Sequence, residues 1–263
     1  MNLERLIVKR PMKKIPKFYM DNNSFRYLEV RKMDIFETIN KRRSSRKFTD
    51  KLVPKEVMQK SFEAAVKAPN SSNLQTWRFW WIKDPSKKKK LVEYCFNQSA
   101  AREAKELVVI TADPNLWKIS NPEIIKYAER INAPKLVKFY YEKLVPITYR
   151  VGWFGVFTPF KKLSFFITGL FRPITRRPGS MRDLQEIAIK SAALGAENFV
   201  LSLEAQGFSS CMMEGHDELR VLKLLGLRAP ARTAMVIGVG EPSDRALWGE
   251  QFRLPLEEVV KEV

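Results

Sequence analysis

The sequence predicts an α+β fold, a helix-flanked sheet around one core. Segments of helical period and segments of strand character are interspersed without regular βαβ alternation. Of the 263 residues, 45% are hydrophobic and 11% aromatic, enough to bury a sizeable core. No internal repeat or low-complexity linker divides the chain, so residues 34–263 read as one domain behind an extension over residues 1–33.

The extension is basic, broken by Pro11 and Pro16 and without sustained periodicity, which suits an arm laid on the main body. It has neither the apolar core nor the cleavage site of a secretory signal. Asp34 stands as N-cap of the first helix, with Glu37 three residues on in capping-box spacing and Ile35, Phe36 and Ile39 on one face; the helix should end near Ser44. Pro54 opens a second helix, carrying Val57, Phe62 and Ala65, which runs to Ala68 and is stopped by Pro69. A polar loop, APNSSNLQTW, follows over 68–77. Arg78–Lys83 reads as a strand, Lys87–Arg102 as a helix and Leu107–Ala112 as a buried strand.

From about Asn115 to Gly179 the pattern is irregular and strongly aromatic, with apolar runs VGWFGVFTPF and LSFFITGLF. Each is about ten residues, half of what a membrane-spanning helix requires, and Lys161 and Lys162 separate them. An interfacial segment, a dimer contact, a lid over a flat substrate and plain core packing all remain open for this insertion. Asp183–Gln206 then forms a long helix with a broad apolar face, ended by Gly207. Phe208–Met213 reads as a strand, Asp217–Leu225 as a short helix and Ala234–Val239 as a further buried strand.

Composition narrows the chemistry. Forty-seven Lys and Arg against 29 Asp and Glu give a net charge of +18, which suits anionic small molecules, anionic lipid or nucleic acid. Cys95 and Cys211 are too few for a disulfide framework and lie in apolar segments, as buried thiols in a reducing compartment would; the expected location is cytoplasmic, with peripheral membrane contact as an addition. His216 is the only histidine, which excludes a multi-histidine metal site and disfavours a histidine-based hydrolase. There is no GxxxxGK loop, and GVG at 238–240 lacks the rest of a dinucleotide fingerprint. A phosphate would therefore be held by arginines and hydroxyls.

Arg42, Arg43, Ser44 and Arg46 offer that: guanidinium forks matched to phosphate oxygens, beside a hydroxyl, on a chain leaving a helix. The same cations in a last helical turn would also complement the helix dipole. In the loop, Asn70, Ser71, Ser72, Asn73 and Gln75 supply donors and acceptors for a heteroaromatic edge, and Pro69 fixes the backbone. Trp77, Trp80 and Trp81 read as core or interface aromatics.

RRSSRKF after a capped helix, then APNSSNLQTWRF, then GFSSCMMEGHD, then a terminal FRLP, resembles the FMN-dependent nitroreductase family over about residues 33–113 and 181–263. The resemblance implies a central mixed, mostly antiparallel sheet flanked by helices, and a homodimer with FMN at the subunit interface. It implies reduction by NADH or NADPH and reoxidation by a nitroaromatic, quinone or similar electron-poor acceptor in a ping-pong cycle. Arg42, Arg43, Ser44 and Arg46 match the motif that contacts phosphate, ribityl chain and ring. Pro69, Asn70, Ser71 and Asn73 match the loop that reaches the partner's flavin. Asn97 matches a position near the isoalloxazine, Glu214 and Gly215 a backbone pair near its N5 edge, and Arg253 a C-terminal phosphate-binding arginine. No residue is assigned a catalytic acid or base, and no metal is implied. Two positions depart from the family pattern: Gln251 stands where many relatives carry a second cation, and Ala100 where some carry lysine. Flavin chemistry of another kind, dehalogenation or desaturation, is the alternative within the fold; a basic membrane-surface or nucleic-acid-binding protein is the alternative outside it, with nucleic acid the less favoured partner.

Overall fold

A computed structural model of the chain describes residues 34–151 and 157–263. The basic extension and the centre of the VGWFGVFTPF run lie outside the described residues. Helix α1 spans Ile35–Lys41, α2 Lys55–Ala65, strand β1 Trp77–Trp81, α3 Pro85–Tyr94, α4 Ser99–Arg102 and β2 Glu106–Ala112. The insertion holds α5 Trp117–Arg130, α6 Lys135–Phe139, a π-helical turn Tyr140–Leu144, α7 Val145–Tyr149 and α8 Thr158–Phe171. Then come α9 Met181–Ala205, β3 Ser209–Met213, α10 Glu218–Leu224, β4 Arg232–Gly240 and α11 Leu256–Val259.

The four strands form one antiparallel sheet in the order β1-β2-β4-β3. A parallel bridge from Ser44 to Ser210, outside these four strands, sets the segment after α1 against the β3 edge. Strand alternation divides β2 between two cores. Val108, Ile110 and Ala112 pack with Met58, Ala65, Phe199 and Leu203 under α2 and α9, while Leu107 and Val109 pack with Leu91, Cys95, Ala101 and Ala104 under α3 and α4. Glycine lets two segments approach β4 closely. A Cβ on Gly238 would sit 2.5 Å from the Ala100 carbonyl oxygen, and one on Gly240 would sit 2.8 Å from the Phe48 ring.

The tryptophans of β1 behave as core aromatics. Trp77 and Trp81 join the α2–α9 core; Trp80 joins the opposite one and donates from Nε1 to Thr111 Oγ1 at 2.8 Å. The long helix α9 starts earlier than expected because Ser180 makes a complete capping box with Asp183.

Three expectations need correction. The helix expected over 87–102 is two helices: Phe96 (φ 57°) and Asn97 (φ 54°) take left-handed conformations that no helix continues through. The insertion is not irregular but mostly helical, fastened to the body by a cluster of Leu74, Trp117, Val145, Tyr149 and Leu184. Helix α1 ends at Lys41 rather than Ser44, Asp34 makes no side-chain cap, and its Ile35–Phe36–Ile39 face is exposed, Phe36 at 71%, while Thr38 points inward. Periodicity identifies an apolar face without saying what covers it.

Candidate functional site

After α1 the chain cannot stay helical and also pair with β3, and here the sheet wins. Ser45 N donates to Ser210 O at 3.0 Å and Arg46 N to Ala246 O at 3.0 Å, which extends the backbone from Ser44 to Phe48 between β3 and the C-terminal segment. Ser45 and Phe48 turn inward and Arg46 turns out. Arg42, Arg43, Ser44 and Arg46 thereby line one cleft of about 230 Å³ with Trp248, Gln251 and Arg253. Residues more than 200 positions apart in sequence converge there.

Arg46 lies 4.5 Å over the Trp248 ring, and Arg43 Nη1 donates to Gly249 O at 3.0 Å. With its amide nitrogen turned to Asn40 O at 3.2 Å, Gln251 accepts from Arg253 Nη2 at 3.2 Å and so positions that guanidinium. Among the described residues none of Arg42, Arg43, Arg46 and Arg253 is ion-paired. Four such guanidinium groups around a small cleft repel one another unless an anion sits between them, and their forks fit an oxyanion. Burial pushes the Glu204 carboxyl above its ordinary value; Ser209, Arg42 and Lys41 pull the other way. Burial likewise raises the Cys211 thiol, against the pull of Arg46, and raises Cys95 to about 12, so both thiols stay protonated and unreactive.

A second group sits at the far end of β3. Ser210 pairs with Ser44 and Glu214 follows four residues later, about 13 Å along the strand. Here Gln98 Nε2 donates to Gly215 O at 2.6 Å and to Cys95 O at 3.0 Å, tying the left-handed turn at Asn97 to the Glu214–Gly215 turn. Glu214, Gly215 and Asn97 are exposed, and the Gly215 N–H donates to no described group, leaving it free for an acceptor. His216 Nε2 pairs with Thr233 Oγ1 at 2.7 Å, and burial holds its pKa below the ordinary value despite the carboxylates nearby.

The amide-rich loop forms a third group. Asn70 Oδ1 accepts from Gln75 N at 2.8 Å, and Ser72, Asn73 and Gln75 all take positive φ, between 48° and 53°. Ser71 N donates to Ser191 Oγ at 3.3 Å, seating the loop near the middle of α9, while Pro69 is exposed. Ser191 and the C-terminal end of α9 at Ala205 are separated by about 21 Å along the axis. Glu204, which feels the charge of Arg42, marks the arginine end. The loop and the arginine cleft are thus apart within one chain. The loop instead borders a cavity of about 1070 Å³, lined by Ser71 and Ser72 with Tyr140, Phe160 and Phe165 of the insertion. The Ser72 hydroxyl meets Tyr140 OH at 2.5 Å.

Sequence reasoning missed Trp248, whose stacking under Arg46 had no signal beyond an aromatic near FRLP, and Gln98, which ties the turn carrying Asn97 to the Gly215 turn.

The family model for the nitroreductase family matches residues 39–241. The chain is 29% identical over 215 residues to Protein DrgA of Synechocystis sp., covering 81% of this chain and 87% of that one. It is 28% identical over 237 residues to an NADH dehydrogenase of Thermus thermophilus, covering 84% and 91%. Among solved structures, a nitroreductase-type protein from Exiguobacterium sibiricum in complex with FMN superposes with a TM-score of 0.65 at 20% identity, covering 88% of this chain and 98% of that one.

Proposed function

The chain belongs to the nitroreductase family; from that premise we propose that it is an FMN-containing, NAD(P)H-dependent oxidoreductase, and which residues hold the cofactor and what the enzyme reduces. Arg42, Arg43, Ser44, Arg46 and Arg253 hold the phosphate. FMN held there would supply the hydride chemistry that carries reducing equivalents from NADH or NADPH to an electron-poor acceptor, a nitroaromatic or quinone, in ping-pong order.

The observation that carries this reading is the cleft of four guanidinium groups, none of them ion-paired among the described residues, with a backbone N–H that donates to no described group in the Gly215 turn past the far end of β3, five residues or about 16 Å from Ser210. The residues fit the group: a phosphate would neutralise the cleft, and the Gly215 amide with Asn97 beside it offers fixed donors to a ring edge. Donors fixed before charge develops stabilise that charge without reorganising. Glu214 acts through its backbone in the same turn.

Pro69, Asn70, Ser71 and Asn73 serve the flavin of a second copy. Their distance from the arginine cleft supports that assignment, as does the uncovered apolar surface of α1, with Ile35, Phe36 and Ile39, and of the C-terminal tail, with Phe252, Leu254 and Leu256. The cavity beside Ser72 is apolar and wide enough for a flat aromatic acceptor.

Steady-state turnover with both nicotinamides against nitroaromatics, quinones, halogenated aromatics and enones tests the reading. The proposal predicts parallel double-reciprocal lines with a nitroaromatic or quinone. Turnover confined to a halogenated aromatic or an enone would move the chain to the alternative chemistry of the fold.

A further inference from the structure

Helix α8, Thr158–Phe171, has no buried residue. With about 100° per residue, Leu163, Phe166, Ile167, Leu170 and Phe171 fall within an arc of about 140°. That arc is 48–83% exposed in every one of the five residues. Lys161 and Phe165 lie on the opposite side, and both line the 1070 Å³ cavity. Lys161 Nζ also donates to Ile147 O at 2.8 Å and Thr148 O at 3.0 Å, fastening that side to α7. From Leu163 onward the helix is therefore turned outward: its Lys161 side grips the protein and its apolar side faces away, while Phe160, in the first turn on that same side, is 69% exposed and edges the cavity.

Charge identifies what this face meets. From residue 143 to 182 the sequence carries Lys143, Arg150, Lys161, Lys162, Arg172, Arg176, Arg177 and Arg182, with no Asp or Glu between Glu142 and Asp183. Arg177 is paired with Glu186, but Lys162, Arg172 and Arg176 are exposed and, among the described residues, have no carboxylate partner. A second copy of the chain is a poor fit, because a two-fold interface would press this cationic rim against itself. Nor can the helix cross a bilayer: 14 residues span about 21 Å against a hydrocarbon core of about 30 Å. A short helix with an apolar face rimmed by Lys and Arg suits the headgroup boundary of an anionic leaflet, lying in its plane.

We propose that the α8 face, Leu163, Phe166, Ile167, Leu170 and Phe171 rimmed by Lys162, Arg172 and Arg176, docks the protein on an anionic lipid surface. The test is flotation of the purified, flavin-loaded chain with phosphatidylcholine vesicles, with and without phosphatidylglycerol. Wild type should partition onto the anionic vesicles and stay free of the neutral ones. Leu163→Asp with Leu170→Asp should weaken that partition by more than about tenfold through lost apolar insertion. Lys162→Ala with Arg172→Ala should weaken it by roughly 25-fold, about fivefold per cation. All four side chains are exposed, so the flavin spectrum and melting temperature should hold in both variants. Equal partition onto neutral vesicles, no partition onto either, or undiminished binding by the aspartate variant would overturn the proposal. So would a change in that variant's oligomeric mass with vesicle binding intact, which would give the face to a second copy.

Discussion

Replacing Arg46 with alanine isolates the phosphate contact. Its backbone is held by the Arg46 N to Ala246 O bond, which alanine keeps, and its side chain is half-buried against Trp248 at 4.5 Å. Lost stacking on a partly exposed ring costs the free protein about 0.5–1 kcal/mol. A charge-assisted hydrogen bond to phosphate is worth about 1.5–3 kcal/mol. Because the cleft is open and Arg42, Arg43 and Arg253 remain, we take the lower end, about 1.5 kcal/mol or roughly tenfold in FMN Kd. Riboflavin lacks the phosphate, so fluorescence titration of both flavins against both proteins forms a thermodynamic cycle. Arg46→Ala should weaken FMN about tenfold and leave riboflavin within about twofold. Equal weakening of the two flavins, or none, would refute the assignment of Arg46 to the phosphate.

Other variants probe the scaffold. Asn70→Ala strips the acceptor from the Gln75 amide (2.8 Å) and should cost about 1–2 kcal/mol, read as a lower melting temperature, whereas Asn70→Asp, which keeps an acceptor, should not. Gly238→Ala drives a methyl to 2.5 Å from the Ala100 carbonyl and 3.1 Å from Ala104 Cβ; chemical denaturation should show a loss of about 1–3 kcal/mol. The Asp183 carboxyl, despite partial burial, is held below its ordinary 3.8 by hydrogen bonds from Gly179 and Ser180. Its contribution is therefore present above pH 3.8 and lost as pH falls through the lower folded value. Asp183→Asn should cost about 1 kcal/mol at neutral pH, and the gap from wild type should close in acid denaturation.

Local signals gave the strands, α9 and the arginine cluster, because strand alternation, the run of apolar residues on α9 and the guanidinium density are all written in neighbouring residues. What escaped lies in contacts between distant ones. Arg253 and Trp248 reach Arg42 and Arg46 only through the fold, and the resemblance, not the spacing, brought Arg253 into view. The break at Phe96–Asn97 carries neither glycine nor proline, and its one local mark was Asn97, a residue type that tolerates the left-handed region. In the insertion, aromatic residues occupy inner and outer faces alike; the outward side of α8 became distinguishable only once Lys161 was seen to turn inward.

The central claim is that guanidinium groups at the exit of α1 receive a flavin phosphate. A crystal structure of the chain with FMN tests it most directly. The account predicts the phosphate within hydrogen-bonding distance of Arg42 or Arg46 and the ring end of the cofactor against the Gly215 turn. A phosphate held elsewhere, with these arginines turned to solvent, would contradict it.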